Sequence, residues 1–144
     1  MPADHGLLTV AVLLRANSGE YMMAATILIV EDSRTMRLLL RCFLVREGHV
    51  VHEAEDGVEA LEWLASNDRP DLLITDINMP RLDGFGLIEQ LRTRTEQQDL
   101  PILVLSTEGA EQKRNLANRL GVLGWFVKPF EADVLRSAIS GVLH

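Results

Sequence analysis

Short aliphatic runs and amphipathic segments alternate five times along this chain, and that alternation restricts the folds open to it more than any other feature. The runs cover residues 27–30, 49–54, 71–75, 101–105 and 123–127; the segments of helical character cover 36–44, 57–66, 84–94, 111–119 and 131–143. In the first of these segments Met36, Leu39, Leu40, Phe43 and Leu44 fall at i, i+3, i+4, i+7 and i+8, the stripe of a helix with one buried face. Ser33 stands where an amino-terminal cap is wanted and Gly48 where a helix stops; Asn67-Asp68-Arg69-Pro70 is the turn after the second helix. Strand-helix alternation predicts a parallel sheet covered on both faces, and the continuous aliphatic character of the strands agrees with burial on both sides. Right-handed crossovers leave few topologies for five such strands. No Ser- or Gly-rich linker or low-complexity tract divides the series, so one domain is expected.

The runs end on chemistry. Glu31-Asp32 closes the first, Asp76 closes the third, Ser106 the fourth and Lys128-Pro129 the fifth. A single acid at a strand end is ordinarily surface decoration, and Glu31-Asp32 alone could serve the positive end of the next helix. Together, at the carboxyl edge of one parallel sheet, three acids, a lysine and a hydroxyl form a cleft of the kind open α/β sheets use for their chemistry. Three carboxylates at close quarters repel unless a cation relieves them, and hard oxygen ligands suit Mg²⁺. With the metal in place Asp76 can act as an anionic nucleophile. A carboxylate nucleophile, Mg²⁺, a lysine for one phosphoryl oxygen and a hydroxyl for another are the parts that phosphoryl transfer needs, and the product would be an aspartyl phosphate.

Glu31-Asp32-Ser33, Thr75-Asp76-Ile77-Asn78-Met79-Pro80 with Asp83-Gly84, Leu105-Ser106-Thr107-Glu108 and Trp125-Phe126-Val127-Lys128-Pro129-Phe130 stand in that order along the chain. They resemble the receiver domain of two-component response regulators, most of all the single-domain, CheY-like chemotaxis type. The resemblance implies a flavodoxin-like (βα)5 doubly wound parallel sheet with strand order 2-1-3-4-5. It implies that Asp76 is the phosphoacceptor, served by a histidine kinase or phosphotransfer protein. Asp32 and Asp76 would ligate Mg²⁺ directly, the Asn78 backbone carbonyl would be a third ligand, and Glu31 would reach the metal through water. Lys128 and Ser106 would hold the phosphoryl group; Ser106 and Trp125 would be the switch pair; Asn78 and Glu108 would tune how fast water removes the phosphate; the Lys128–Pro129 bond would be cis. Glu31 replaces a common Asp, Ser106 a common Thr, and Trp125 a smaller ring. The Asn78–Glu108 pairing resembles regulators with short-lived phosphorylation, so a phosphoryl lifetime of seconds to minutes is expected.

By the same resemblance the chain is a phosphorylation switch that catalyses only its own phosphotransfer and autodephosphorylation, and is not a turnover enzyme. Its phosphorylated form would present the face formed by the fourth helix, fifth strand and fifth helix to a downstream protein, a flagellar motor switch or another effector. A phosphorelay intermediate or an adaptor receiver are the neighbouring readings, and Arg34, Arg37 and Arg41 are expected at a kinase-docking surface. A Mg²⁺-dependent phosphohydrolase with an aspartyl intermediate is the rival from another class, but it wants a second acid two residues beyond the nucleophile, where this chain has Asn78. A flavodoxin-like FMN carrier wants a Ser/Thr/Gly-rich loop after the first strand, where Glu31-Asp32-Ser33-Arg34 would repel phosphate.

A net charge of -7 argues against non-specific nucleic-acid binding. Cys42 is the single cysteine, which allows no intrachain disulfide and favours a reducing compartment, so a cytoplasmic location is expected. No apolar stretch approaches the roughly 20 residues that span a bilayer, and no membrane partner is expected. The apolar Leu7-Leu8-Thr9-Val10-Ala11-Val12-Leu13-Leu14 lacks a preceding basic residue and a cleavage site. Residues 1–23 are therefore taken as an N-terminal extension, disordered or upstream of a natural start near Met22-Met23, and residues 24–144 as the receiver domain. His49 and His52 should point to opposite faces of their strand and form no metal pair. Trp63 is expected on the outer side of its helix, and Lys113 and Arg114 as exposed charge.

Overall fold

The computed structural model describes residues 24–143; the reading of residues 1–23 lies outside them. Ten elements alternate without exception: β1 Thr26–Val30, α1 Arg34–Arg46, β2 Val50–Ala54, α2 Gly57–Ser66, β3 Leu72–Thr75, α3 Gly84–Thr93, β4 Ile102–Ser106, α4 Glu111–Arg119, β5 Gly124–Val127 and α5 Ala132–Leu143. The five strands are parallel and lie in the order β2-β1-β3-β4-β5. This is the doubly wound, flavodoxin-like sheet that the alternation and the resemblance called for. Boundaries moved by one residue at several ends: β2 begins at Val50 rather than His49, and β4 reaches Ser106.

Strand side chains alternate between two helical layers. Leu28, Leu73 and Val104 point into a core shared with Ala60 and Leu64 of α2, Leu87 and Leu91 of α3, and Ala117 of α4. Ile27, Ile29, Ile74 and Leu103 point the other way, against Leu40 and Leu44 of α1 and Leu135 and Ile139 of α5. Burying one such aliphatic side chain stabilises the fold by roughly 1.5–3 kcal/mol, and both faces of every central strand do so. Local signals set the helix ends. Ser33 Oγ accepts the Met36 N–H at 3.3 Å at the start of α1, which ends before Gly48 at φ 95°. Asp56 and Asp83 cap α2 and α3 by accepting the N–H of Glu59 and Gly86.

One expectation about an outward-facing residue is corrected, and the arginines of α1 have partners that the sequence did not show. Trp63 is half-buried, packs against the core beneath α2 and contacts the His52 ring at 4.9 Å between centroids, because β2 is an edge strand and leaves room beside it. Arg37 and Arg41 are not free docking charges. Arg37 donates to Glu53 at 3.0 Å and to the Glu31 carbonyl at 2.8 Å, while Arg41 donates to Glu53 at 2.8 Å and to the Val51 carbonyl at 3.2 Å. Both tie α1 to the edge strand, while Arg34, Leu38 and Val45 are exposed on this helix; Leu39, expected in the buried stripe, is also exposed, since only Leu40 and Leu44 of that stripe are fully buried. His49 is buried, with Nδ1 accepting the Ala25 N–H at 3.1 Å.

Candidate functional site

The cleft is built where the hydrogen-bond ladder runs one residue past the strands. The backbone N–H of Glu31 donates to Ala54 O at 3.0 Å, that of Asp76 to Val30 O at 2.9 Å, and that of Lys128 to Ser106 O at 2.9 Å. Each charged residue is therefore fixed to a neighbouring strand while its side chain leaves the sheet. Three separated segments of sequence meet there because β1 and β3 are adjacent at the centre of the sheet and β5 follows one strand away.

Lys128 is the centre of the charge pattern. Its Nζ donates to Asp76 Oδ2 at 2.9 Å and forms a second ion pair with Glu31 Oε1, and all three side chains are less than a tenth exposed. Asp76 Oδ1 accepts the Ile77 N–H at 2.6 Å and Glu31 Oε2 accepts the Ser33 N–H at 2.9 Å. Burial pushes the Glu31 carboxyl above its ordinary range; the Lys128 hydrogen bond opposes this and the Asp76 charge adds to it. For Lys128 burial works against the charge, but its hydrogen bonds to Glu31 and Asp76 outweigh it and hold the ammonium above its ordinary pKa.

Carboxylate oxygens of Glu31, Asp32 and the 7 % exposed Asp76 lie within 4.8 Å of one another, with Asp32 on the exposed side. Against one lysine this leaves two negative charges in excess. An all-oxygen donor set with that charge and one open side fits a hard divalent ion such as Mg²⁺, which binds through one or two carboxylates and keeps several waters. Asn78 is exposed, two residues beyond Asp76 in the loop that leads to α3.

The loop of residues 77–83 has little room. Gly84 donates its N–H to Ile77 O at 2.8 Å, and a Cβ on Gly84 would sit 2.3 Å from the Asp76 carbonyl oxygen and 2.8 Å from Ile77 Cα. These are backbone atoms and cannot turn aside. Gly84→Ala is therefore expected to cost at least about 2 kcal/mol of stability and to weaken divalent-ion binding by displacing the backbone under Asp76; thermal melts and a magnesium titration of the variant measure both.

On the far side of the cleft Ser106 is fully buried and its Oγ accepts the Glu108 N–H at 3.1 Å. The Trp125 indole N–H donates to Glu108 O at 2.7 Å, and its ring lies 6.3 Å from that of Phe85. The Glu108 carboxylate pairs with Lys113 of α4. One residue is thus held through its N–H by Ser106, through its carbonyl by Trp125, and through its carboxylate by Lys113. Sequence reasoning placed Glu108 but missed the Lys113 partner, which was assigned only as exposed charge; the five-residue spacing across a loop-helix junction carries no periodic signal. The Lys128–Pro129 peptide is cis.

A cavity of about 410 Å³ at the opposite edge of the sheet contains Arg92. Its guanidinium donates to the carbonyls of Leu120, Gln98, Leu100 and Gly121, which makes it a brace for that turn.

Residues 27–140 match the sequence profile of the response regulator receiver domain. Over 118 residues the chain is 41% identical to the chemotaxis protein CheY homolog of Campylobacter jejuni, spanning 81% of this chain and 91% of that protein. It is 40% identical to chemotaxis protein CheY1 of Helicobacter pylori over 81% of this chain and 95% of that one. The crystal form of chemotaxis response regulator CheY4 of Vibrio cholerae superposes with a TM-score of 0.76 at 36% identity, over 83% of this chain and 99% of that chain. Response regulator MprA of Mycobacterium ulcerans is 42% identical over 85% of this chain but only 51% of that protein.

Proposed function

The chain belongs to the response regulator receiver domain family, and from that premise we propose that it is a Mg²⁺-dependent phosphorylation switch whose phosphoacceptor is Asp76. The observation that carries this reading is the single ammonium of Lys128 shared between Asp76 and Glu31, with Asp32 beside them, at the carboxyl edge of the sheet. A carboxylate oxygen of Asp76 attacks the phosphorus of a phosphohistidine or a small phosphodonor. With phosphohistidine the phosphorus–nitrogen bond breaks and the leaving imidazole keeps the electron pair and takes a proton; with acetyl phosphate the phosphorus–oxygen bond breaks and acetate leaves; in both cases an acyl phosphate forms on Asp76. Lys128 then follows the charge onto one phosphoryl oxygen, and the Ser106 hydroxyl donates to another. Asp32, Asp76 and the Asn78 carbonyl would hold Mg²⁺, with Glu31 acting through water; the ion's chemistry is to neutralise the phosphoryl oxygens as charge moves. Incubation with acetyl phosphate and Mg²⁺, followed by mass spectrometry of the intact protein and its peptides, should place one phosphoryl group on Asp76; phosphorylation elsewhere, or none, sinks the reading.

The output is proposed to run through α4, β5 and α5. What supports this is the triple attachment of Glu108: if Ser106 turns to the phosphoryl group, the Glu108 N–H loses its acceptor and the loop that Trp125 and Lys113 hold must readjust. The phosphoryl group acts by its different affinity for two conformations of that loop. Beside it, Val127 and Val134 are exposed and a cavity of about 200 Å³ opens between β5 and α5, lined by Trp125, Pro129 and Phe130. A chemotaxis-type partner such as a flagellar motor switch protein is the proposed listener, in a cytoplasmic pathway fed by a histidine kinase. What supports kinase docking on α1 is the exposed Leu38, Leu39 and Val45 rather than Arg37 and Arg41.

The phosphoryl lifetime in Mg²⁺ is expected to be seconds to minutes, read by the decay of labelled protein after removal of the donor; persistence for hours would count against the Asn78–Glu108 assignment. Lys113→Ala should shorten it by about two- to fivefold, the range of a partly exposed ion pair, because the freed Glu108 carboxylate can then orient the attacking water. An unchanged decay rate would leave the pair no part in hydrolysis.

A further inference from the structure

A second charged pair grips the loop that leads away from Asp76. Asp56, only 4% exposed, takes two bonds from Arg81: Nε to Oδ2 at 2.7 Å and Nη2 to Oδ1 at 3.0 Å. The same Oδ1 accepts the Glu59 N–H at 2.9 Å, so this carboxylate caps α2 and anchors the loop at once. Arg81 has φ 64° and is the sole non-glycine residue with positive φ among the described residues. A residue with a Cβ rarely adopts this conformation, and an arginine has no short side chain to bond its own backbone there. Such a geometry persists when the surroundings impose it, and here they do so through the planar two-point contact with a buried carboxylate. One residue on, the Gly57 N–H donates to Leu82 O at 3.0 Å, an approach so close that a Cβ on Gly57 would lie 2.7 Å from that oxygen.

The loop is therefore fixed at both ends. Ile77 is held by the Gly84 N–H, and Arg81 and Leu82 are held by the amino end of α2. Asn78 lies between these points.

We propose that the Asp56–Arg81 pair is a positioning clamp that holds the loop carrying the Asn78 carbonyl in its metal-binding conformation, and so sets both the Mg²⁺ affinity of the site and the lifetime of the phosphate on Asp76. This rests on the metal and phosphoacceptor assignment above. Arg81 touches neither metal nor phosphate; it acts by removing loop conformations in which the carbonyl points away, so that binding does not have to select among them. The sequence carries no sign of the pair, because its members stand 25 residues apart and Asp56 alone looks like an ordinary helix cap.

Two substitutions separate the clamp from simple destabilisation. Arg81→Gly removes the guanidinium while relieving the left-handed backbone, and Asp56→Asn keeps an oxygen to cap α2 while losing the charged contact. Calorimetric titration with MgCl₂ should show each variant binding about tenfold more weakly, the lower end of what supports around a metal site contribute, with an unchanged circular dichroism spectrum. The double variant should bind no worse than the weaker single one, and amide exchange in residues 77–83 should accelerate in all three. Arg69→Ala, which breaks the remote Arg69–Asp99 pair, should change neither readout. Magnesium affinities within twofold of the parent in both single variants overturn the clamp, as do losses that multiply in the double variant. Failure of the parent protein itself to bind Mg²⁺ would instead remove the metal assignment, and the clamp with it.

Discussion

Replacing Asp76 with asparagine is expected to abolish phosphorylation by a histidine kinase or by acetyl phosphate. The substitution is nearly isosteric, but its one amide oxygen can accept from only one of the two donors that the carboxylate serves, Lys128 Nζ at Oδ2 or the Ile77 N–H at Oδ1; if the Ile77 N–H keeps it, Lys128 retains Glu31 as its partner. What is lost is the anion. An amide oxygen cannot displace a leaving group from phosphorus at a useful rate, and the neighbouring acids do not replace it: Glu31 is held by Lys128 and the Ser33 N–H, and Asp32 lies on the exposed side of the cluster. The variant also removes one of the carboxylates proposed to hold Mg²⁺ and should bind the ion at least about tenfold more weakly. Folding should be retained, since one fewer buried negative charge lowers the repulsion in the cleft. Labelling of Asp76→Asn undiminished from the parent, read by radiolabelled phosphate or intact mass, would end the assignment.

Lys128→Met carries the second large effect, and it divides into chemistry and stability. Methionine keeps much of the apolar stem and removes the ammonium. Transfer to Asp76 should slow by about a hundredfold or more, the usual consequence of losing a preorganised charge that stabilises a developing anion. Without metal, Glu31 and Asp76 would face each other in a buried cleft with no cation, a situation that costs about 3 kcal/mol. The pH dependence follows from the groups already shifted. Glu31 is pushed up by burial, so its stabilising protonated form is favoured at low pH and lost as pH rises through its folded pKa. Lys128 is held above its ordinary value, so its contribution is complete below that value and is lost only as pH rises beyond the folded one. Removing the lysine should therefore raise Glu31 further, and the melting temperature of metal-free Lys128→Met should climb more steeply than that of the parent as pH falls toward the ordinary carboxyl range. Mg²⁺ should flatten that slope. A slope equal to the parent's, or phosphotransfer at the parent's rate, would deny Lys128 its role.

Most of the fold was legible because its signals are local. Continuous aliphatic runs in the strands, a stripe of 3.6 in α1 and end signals at Ser33 and Gly48 are properties of adjacent residues, and alternation of the two patterns leaves one sheet type. The charged strand ends were legible for the same reason: Asp76 and Lys128 each follow directly on an aliphatic run. Trp63 was misplaced, and the partners of the two arginines of α1 were missed, because both depend on what stands across from them. Glu53, the partner of both Arg37 and Arg41, belongs to the edge strand, whose position beside β1 follows from a crossover rather than from any neighbouring residue.

Sequence by itself determined the strand-helix order, the family and the set of residues available for chemistry, because these rest on short-range pattern and on motifs that stay contiguous. Tertiary structure alone decided which groups share an ion pair or a hydrogen bond. The Lys128 ammonium chooses Asp76 and Glu31, Glu108 is tied to Ser106, Trp125 and Lys113, and Arg81 reaches Asp56, over separations of 52, 17 and 25 residues for the Asp76, Trp125 and Asp56 contacts. Pairing of this kind has no periodic trace in a chain, since it depends on strand order and loop path in space; the energy of a buried charge depends on its partner's position to within an ångström or so.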